Sequence, residues 1–255
     1  MVAHNRQRPN QSNYCAPSLM RVALIHDWIV NISGAERVLK VLHEMFPDAP
    51  IYTLFYNPKF TQTFLPQAKI KPSFLQKPYR LLKSSQLLVP LMPLAVESFD
   101  LSDFDLVISS SVSFSKGLIL KPKTKHICYC YSPTRQLWDW HNEYRQEKHK
   151  TPRFLVALWQ HLFRIWDRQA STRVDHFIAI SNVVQGRIKK YYQRESTIIY
   201  PPVADLRQKV KAKSQKYEKN DQALFSSGYF LIVSRLFKNK NVDVAVEAFN
   251  KLDWP

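Results

Sequence analysis

Short continuous apolar runs alternate along this chain with longer stretches whose apolar residues recur at helical spacing. Val22-Ala23-Leu24-Ile25 is the first run and ends in His26-Asp27-Trp28. After a loop from Ile29 to Ser33 comes Gly34, and Ala35 to Phe46 then repeats Val38, Leu39, Val41, Leu42 and Met45 on one helical face. Further strands are predicted at Pro50–Phe55, Asp105–Ser110, Lys125–Cys130, His176–Ile180 and Thr197–Tyr200, and a serine-rich turn follows the third strand. A long helix is predicted from Pro152 to Val174, with Phe154, Leu155, Leu158, Trp159, Leu162, Phe163, Ile165 and Trp166 as a wide apolar face covering a sheet. Lying on a bilayer is the alternative for that face. Asn182 to Tyr192 predicts another helix, with Ser181 as its N-cap. Between Asn57 and Pro93, proline and aromatic residues are frequent, and short helices and loops are expected, including one helix over Tyr79–Leu91. Tyr229–Val233 reads as a last buried strand, followed by a cationic turn and a helix carrying Val242, Ala245, Val246 and Phe249.

This order defines an α/β class: a Rossmann-like, mostly parallel sheet with helices on both faces. In such sheets ligands lie beyond the carboxyl ends of the strands, where the following helices point their N-termini. Three loops therefore hold the candidate chemistry. Ser33 and Gly34 open the first helix, and the alternative for Gly34 is that it only eases a tight turn. Tyr131-Ser132-Pro133-Thr134-Arg135 is a polar, proline-stiffened loop after the fourth strand. Arg135 there is a candidate for contact with an anion or, alternatively, the partner of Asp139 in an ion pair. Ser234 and Arg235 lie where the Tyr229–Val233 strand ends, and Lys240 follows in the turn. Arg235 offers a planar fork of donors and Lys240 a mobile point charge, a pairing suited to a diphosphate. A plain surface loop with solvated lysines is the alternative.

Composition narrows the field. With 255 residues and 45% hydrophobic content the chain can bury a sizeable core and is globular, not disordered. The net charge of +17 favours anionic partners, whether nucleic acid, acidic lipid or phosphorylated substrate. Cys15, Cys128 and Cys130 form no disulfide framework and point to a reducing compartment; Cys128 and Cys130 read as small core residues sharing one strand face. Only four glycines occur, without a G-x-G-x-x-G, which disfavours a nicotinamide-binding protein; a phosphate-binding G-x-x-x-x-G-K-[ST] loop and a zinc motif are missing too. The polar residues 1–20 read as a loose tail without a signal peptide, and no apolar run is long enough to span a membrane.

Several of these segments carry a resemblance. Ser234-Arg235-Leu236, Lys240, Asp243 and Ala245-Val246-Glu247-Ala248-Phe249 match S-R-L-x-x-x-K-x-x-D-x-A-V-E-A-F. HDWIVNISGAERVL, YCYSPTRQLWD, VDHFIAISNVV and IIYPPV add to it. Together they resemble the group 1, or GT4-type, retaining glycosyltransferases with the GT-B fold, from Arg21 to roughly Trp254. The resemblance implies transfer of a sugar from a GDP-mannose-like or UDP-sugar donor to a lipid-linked or polysaccharide acceptor. It makes Arg235 and Lys240 the donor-diphosphate ligands and Tyr131 and Asp27 the catalytic candidates. Ser33, Gly34, Ser132 and Arg135 become substrate-loop residues. Two departures stand out: Ser33 replaces the first of a usual glycine pair, and Tyr131 a usual histidine. A tyrosine, with a reference pKa of roughly 10, is a poor proton shuttle at neutral pH.

No metal or cofactor is implied, because two cations supply the charge at the diphosphate. Donor, glycan or lipid-linked acceptor and an anionic membrane surface are the expected partners, and nucleic acid is not. The expected location is the cytoplasm, including the cytoplasmic face of a membrane. The domains follow as a tail over 1–20, an acceptor-side domain over 21–203, a basic linker over 204–227, and over 228–255 the first strand and helix of a donor-binding domain that is incomplete. The family's downstream E-x7-E element is not found in the sequence. An inactive fragment that only binds acceptor or membrane is therefore the alternative to an active transferase.

Overall fold

The computed structural model describes residues 20–147, 152–203, 231–234, 236 and 240–252. Two compact units are present, Met1–Pro202 and Val203–Pro255. The first contains seven strands: β1 (Val22–His26), β2 (Ile51–Thr53), β3 (Ile70–Pro72), β4 (Leu106–Ser111), β5 (Lys125–Cys130), β6 (His176–Ala179) and β7 (Ser196–Ile198). They form one sheet in the order β3-β2-β1-β4-β5-β6-β7. Each neighbouring pair is parallel, with Leu24 opposite Ile51 on one side and Ile108 on the other. The order reverses between β1 and β4. That switch point leaves a crevice at the strands' carboxyl ends, because the two connections leave to opposite sides.

Alternation along β1 supplies both layers. Ala23 and Ile25 join one core cluster with Tyr52, Leu54, Met92, Val107 and Phe114, while Leu24 joins another with Leu39, Ile51 and Ile108. The second cluster is covered by α1 (Gly34–Met45). Two short helices, α2 (Pro58–Phe64) and α3 (Gln76–Leu82), precede a 3-10 turn (Gln86–Leu91) and α4 (Met92–Glu97). The helix expected over Tyr79–Leu91 is thus broken. Lys83 adopts the left-handed region at φ 50° and closes α3 by donating its N–H to the Tyr79 carbonyl at 2.9 Å. The strand β3 carries no apolar run; as the outermost strand it tolerates Pro72. Cys128 and Cys130 are both free and buried, on one face of β5 against Phe177 and Tyr192.

The helix pair α5 (His141–Glu147) and α6 (Arg153–Thr172) precedes β6, and α7 (Asn182–Arg187) continues as a π turn through Tyr192. The Ser181 hydroxyl accepts the Val184 N–H at 3.3 Å, as its N-cap position predicts. The long helix corrects the expectation for its apolar face. Phe163 and Trp166 pack on the core, but Phe154, Leu155, Leu158, Leu162 and Ile165 are each at least 44% exposed. Val156, Gln160, Asp167, Ala170 and Ser171 face inward instead. Gln160 and Asp167 turn in because the neighbouring loops need hydrogen-bond partners: Gln160 donates to the carbonyls of Gln136 and His141, both at 2.9 Å, and accepts from Arg145 Nε at 2.6 Å.

In the second unit, α8 (Val242–Asn250) forms as the sequence predicts. Tyr229 and Phe230 lie outside the described residues, and Leu231–Ser234 carry no strand assignment. A parallel strand exists only through its ladder, and among the described residues no sheet ladder includes this segment. The linker expected over 204–227 lies outside the described residues. Among the described residues no helix is long and apolar enough to cross a membrane.

Candidate active site

Three loops meet at the switch point. The buried carboxylate of Asp27, just past β1, accepts four backbone N–H groups of the turn after β4. Val112 and Ser113 donate to one oxygen at 2.7 Å each, and Phe114 and Ser115 to the other at 2.8 and 2.5 Å. Successive N–H groups aimed at one anion make a nest, and Asp27 fills it. Both oxygens hold the β4 loop, and the residue is 1% exposed.

Beside it runs a polar chain. The Tyr131 hydroxyl donates to the Ala35 carbonyl in the first turn of α1 at 3.1 Å and lies 2.9 Å from Ser110 Oγ. Ser110 Oγ is 3.1 Å from His26 Nδ1, and His26 Nε2 is 3.8 Å from Glu36. Glu36 in turn accepts the Ser33 N–H at 2.8 Å and also contacts the Ser33 hydroxyl. Ser33 to Glu36 is a capping box, so Ser33 is committed to starting α1. Burial works to raise the Glu36 pKa, but hydrogen bonds from His26 and Ser33 bring it below the ordinary carboxyl value. Burial pushes the Tyr131 phenol well above its usual range, partly offset by Ser110. Tyr131 is thus a hydrogen-bonding group and not a proton carrier. His26, Glu36 and Ser110 were not singled out in the sequence, although the S-x-x-E spacing of Ser33 and Glu36 is a readable signal.

Gly34 opens α1 with space above it. A Cβ built there meets nothing within 4 Å, and its backbone is not left-handed. The protein's own packing therefore does not require glycine at this position. By contrast, a Cβ on Gly117 would collide with the Trp166 indole.

The loop after β5 is held from below by a buried ion pair. Lys116 Nζ lies 2.6 Å from Asp167, which also accepts the Thr134 hydroxyl at 2.8 Å, Trp138 Nε1 at 2.8 Å and the Tyr192 hydroxyl at 2.9 Å. The Lys116 ammonium also donates to the Ser113 carbonyl, so one pair ties the β4 loop to the β5 loop. Burial opposes the Lys116 charge, yet the Asp167 carboxylate raises its pKa. Above this anchor the Arg135 guanidinium stacks on Trp140, 3.5 Å from the ring centroid. The expected alternative of an Arg135–Asp139 pair does not form. Asp139 is taken by Arg187 at 2.8 Å and by the Tyr191 hydroxyl at 2.6 Å. Arg135 Nε and Ser132 Oγ are buried without hydrogen-bond partners, and burial together with the neighbouring Arg187 lowers the Arg135 pKa. Two buried polar groups on one loop are thus left without a partner from the protein.

The structure thus gathers Asp27, Ser33, Gly34 and Tyr131 around the switch point, with Ser132 and Arg135 on the adjoining loop. Lys240 is exposed in the second unit, and Arg235 lies outside the described residues.

A parallel Rossmann-like sheet with polar loops at its carboxyl edge defines the class. The family described as Glycosyltransferase Family 4 matches residues 32–205, more than half of the chain. The chain belongs to that family. No curated protein matches it. Among solved structures it is similar to "lipopolysaccharide outer core galactosyltransferase WaaB apo form", at 16% identity and a TM-score of 0.40. That match covers 72% of this chain and 46% of the other, so the chain spans about half the length of that structure.

Proposed function

We propose that this chain forms the acceptor-side part of a retaining glycosyltransferase that moves a hexose from a nucleotide-sugar, GDP-mannose-like or a UDP-sugar, to a lipid-linked or polysaccharide acceptor in cell-surface glycan synthesis. Family membership supports the reaction class. The observation that carries the site is the meeting of the open α1 N-terminus at Gly34 with the Tyr131 hydroxyl, which donates into the same helix turn. The positive dipole end there favours an anion or a sugar hydroxyl.

In this reading, catalysis is mainly positioning and stabilisation of the leaving diphosphate. Arg235 and Lys240 hold that diphosphate, so neither metal nor cofactor is invoked. Tyr131, kept protonated, orients the sugar by hydrogen bonding. Arg135 and Ser132 face the acceptor. The exposed basic residues Lys77, Arg80 and Lys83 beside Leu81 and Leu82 suit an anionic membrane face.

A second reading, a module that binds acceptor or membrane without catalysis, draws on the exposed apolar stripe of α6. Calorimetric titration of GDP, UDP and their sugar conjugates into the 255-residue chain separates the two, with donor hydrolysis followed in parallel. Binding that Arg235→Ala abolishes supports the transferase. A folded chain that binds no nucleotide but sediments with anionic vesicles supports the module.

A further inference from the structure

We infer that His26 and Ser110 are positioning residues that present the Tyr131 oxygen to the site as a hydrogen-bond acceptor, so that Tyr131 reads a ligand hydroxyl and rejects a phosphate or carboxylate oxygen. Calling that ligand a sugar rests on the transferase reading above; the polarity of the chain of hydrogen bonds does not.

Each member of the chain has few protons to give. The Tyr131 hydroxyl has one, and the Ala35 carbonyl, 3.1 Å away, can only accept it. The 2.9 Å contact between Tyr131 and Ser110 is then closed by the Ser110 proton. With that proton spent, Ser110 Oγ can only accept from His26 Nδ1 at 3.1 Å, so Nδ1 carries a hydrogen. On the other side of the ring, Nε2 faces Glu36 Oε1 at 3.8 Å, while Oε2 of the same carboxylate accepts the Ser33 N–H. A bare Nε2 would set a lone pair against an anion, whereas an N–H there meets opposite charge. Both ring nitrogens therefore carry hydrogen, and the buried His26 is an imidazolium balanced by Glu36.

The other neighbours of His26 are committed elsewhere. Asp27 is taken by the four N–H groups after β4. Thr53, opposite His26 on β2, shares its hydroxyl between the Asp27 and Phe55 carbonyls. Running the chain backwards, with Tyr131 donating to Ser110 and Ser110 to Nδ1, would leave the Tyr131 and Ala35 oxygens 3.1 Å apart with no hydrogen between them. In the forward direction Tyr131 has no proton left for a ligand, and only acceptor capacity remains. A sugar hydroxyl can donate to it; an ionised phosphate or carboxylate oxygen cannot. Two tasks are thus separated at adjacent points: the α1 N-terminus favours negative charge, and Tyr131 favours a hydroxyl.

The test is nitrogen NMR of the full 255-residue chain, isotope-labelled on its histidine rings, at neutral pH. The His26 signals are those that His26→Gln removes. An imidazolium shows two similar ring nitrogens, both bearing hydrogen, and a neutral ring shows two dissimilar ones. The expected result is an imidazolium in the wild type that becomes neutral in two variants. One is Glu36→Gln, which keeps a capping box but removes the anion. The other is Tyr131→Phe, in which Ser110 is released to donate to Nδ1; a His26 that merely filled space would not respond to Tyr131. A neutral His26 in the wild type overturns the inference, and so does an imidazolium that a folded Tyr131→Phe chain leaves unchanged. Hydrolysis of GDP-mannose and UDP-glucose is followed in parallel. Ser110→Ala should lower kcat/KM about fivefold to tenfold, the effect of one hydrogen bond; a folded Ser110→Ala chain with wild-type kcat/KM also overturns it. Hydrolysis by a wild type with neutral His26 sinks this inference alone. The coupled imidazolium without hydrolysis of either donor upholds the chain and sinks the transferase reading.

Discussion

Asp27 holds Ser115 and its three predecessors by their backbone N–H groups, the shortest of these hydrogen bonds being 2.5 Å. A strand-end carboxylate thus fixes the loop of the neighbouring strand across the switch point. Asp27→Asn keeps one acceptor oxygen and turns an NH₂ group toward N–H donors. The expected loss is about 3 kcal/mol or more, because hydrogen bonds to a charged group contribute about 1.5–3 kcal/mol and buried donors are left unpaired. Urea unfolding measures it. An Asn variant that unfolds at wild-type denaturant concentration, yet no longer hydrolyses donor, would show that Asp27 acts in catalysis.

Lys116 and Asp167 make a fully buried pair with four further hydrogen-bonding partners, so removal of either charge strands the other. Lys116→Met and Asp167→Asn should each destabilise by about 3–5 kcal/mol. The double variant should lose clearly less than the sum of the two. Chemical denaturation of all four proteins completes the cycle, and additive losses would show that the pair does not act as a unit.

Gly34→Ala separates ligand from scaffold. A methyl group there meets no protein atom within 4 Å, so thermal stability should stay level or rise by up to about 1 kcal/mol, since alanine favours the helix more than glycine. Donor or acceptor affinity should fall, because the methyl group occupies the space over the helix N-terminus. Unchanged affinity would place the ligand elsewhere.

His126 gives the protein a pH dependence. It is fully buried, with Nε2 2.8 Å from Ser109 Oγ, and burial lowers its pKa from 6.5 to about 4, against a small opposing effect of Asp175. The folded state therefore binds fewer protons than the unfolded state between those two values. Stability from neutral His126 is fully present above about pH 6.5 and is lost as pH falls towards 4. The full effect is about 3 kcal/mol, at 1.36 kcal/mol per pKa unit. Urea midpoints measured from pH 7 to pH 4 should fall more steeply for the wild type than for His126→Gln. Parallel curves would show that His126 does not titrate between the two states.

Tyr131→Phe removes a hydroxyl that joins Ser110 to the first turn of α1. A destabilisation of about 1 kcal/mol is expected. Because burial holds the phenol protonated, the pH dependence of donor hydrolysis should keep its shape in the variant. A pH limb that disappears on the substitution would instead identify Tyr131 as a proton donor or acceptor.

Much of this protein was legible in the chain. Continuous apolar runs end in polar turns because parallel strands are buried on both faces, and that pattern located β1, β4, β5 and β6, and with them the loops that carry Asp27, Ser33, Tyr131 and Arg135. The same pattern was silent on β3, which is short, basic and at the sheet edge, and it ran α3 into the following turn, where Lys83 turns left-handed. What the linear order could not state is which polar group meets which. The four donors to Asp27 lie 85 to 88 residues away, and Asp139 chose Arg187 over the sequence-near Arg135. Likewise α6 presents a readable apolar stripe, yet the fold buries the face with Gln160 and Asp167, because unpaired loop groups inside the protein cost more than leucines left at the surface. The sequence by itself thus determined most of the strands and helices and the edge of the sheet where ligands belong, since periodicity is local. Only the tertiary structure decided which side chains are free for a ligand and which are spent on the scaffold, since that depends on partners distant along the chain.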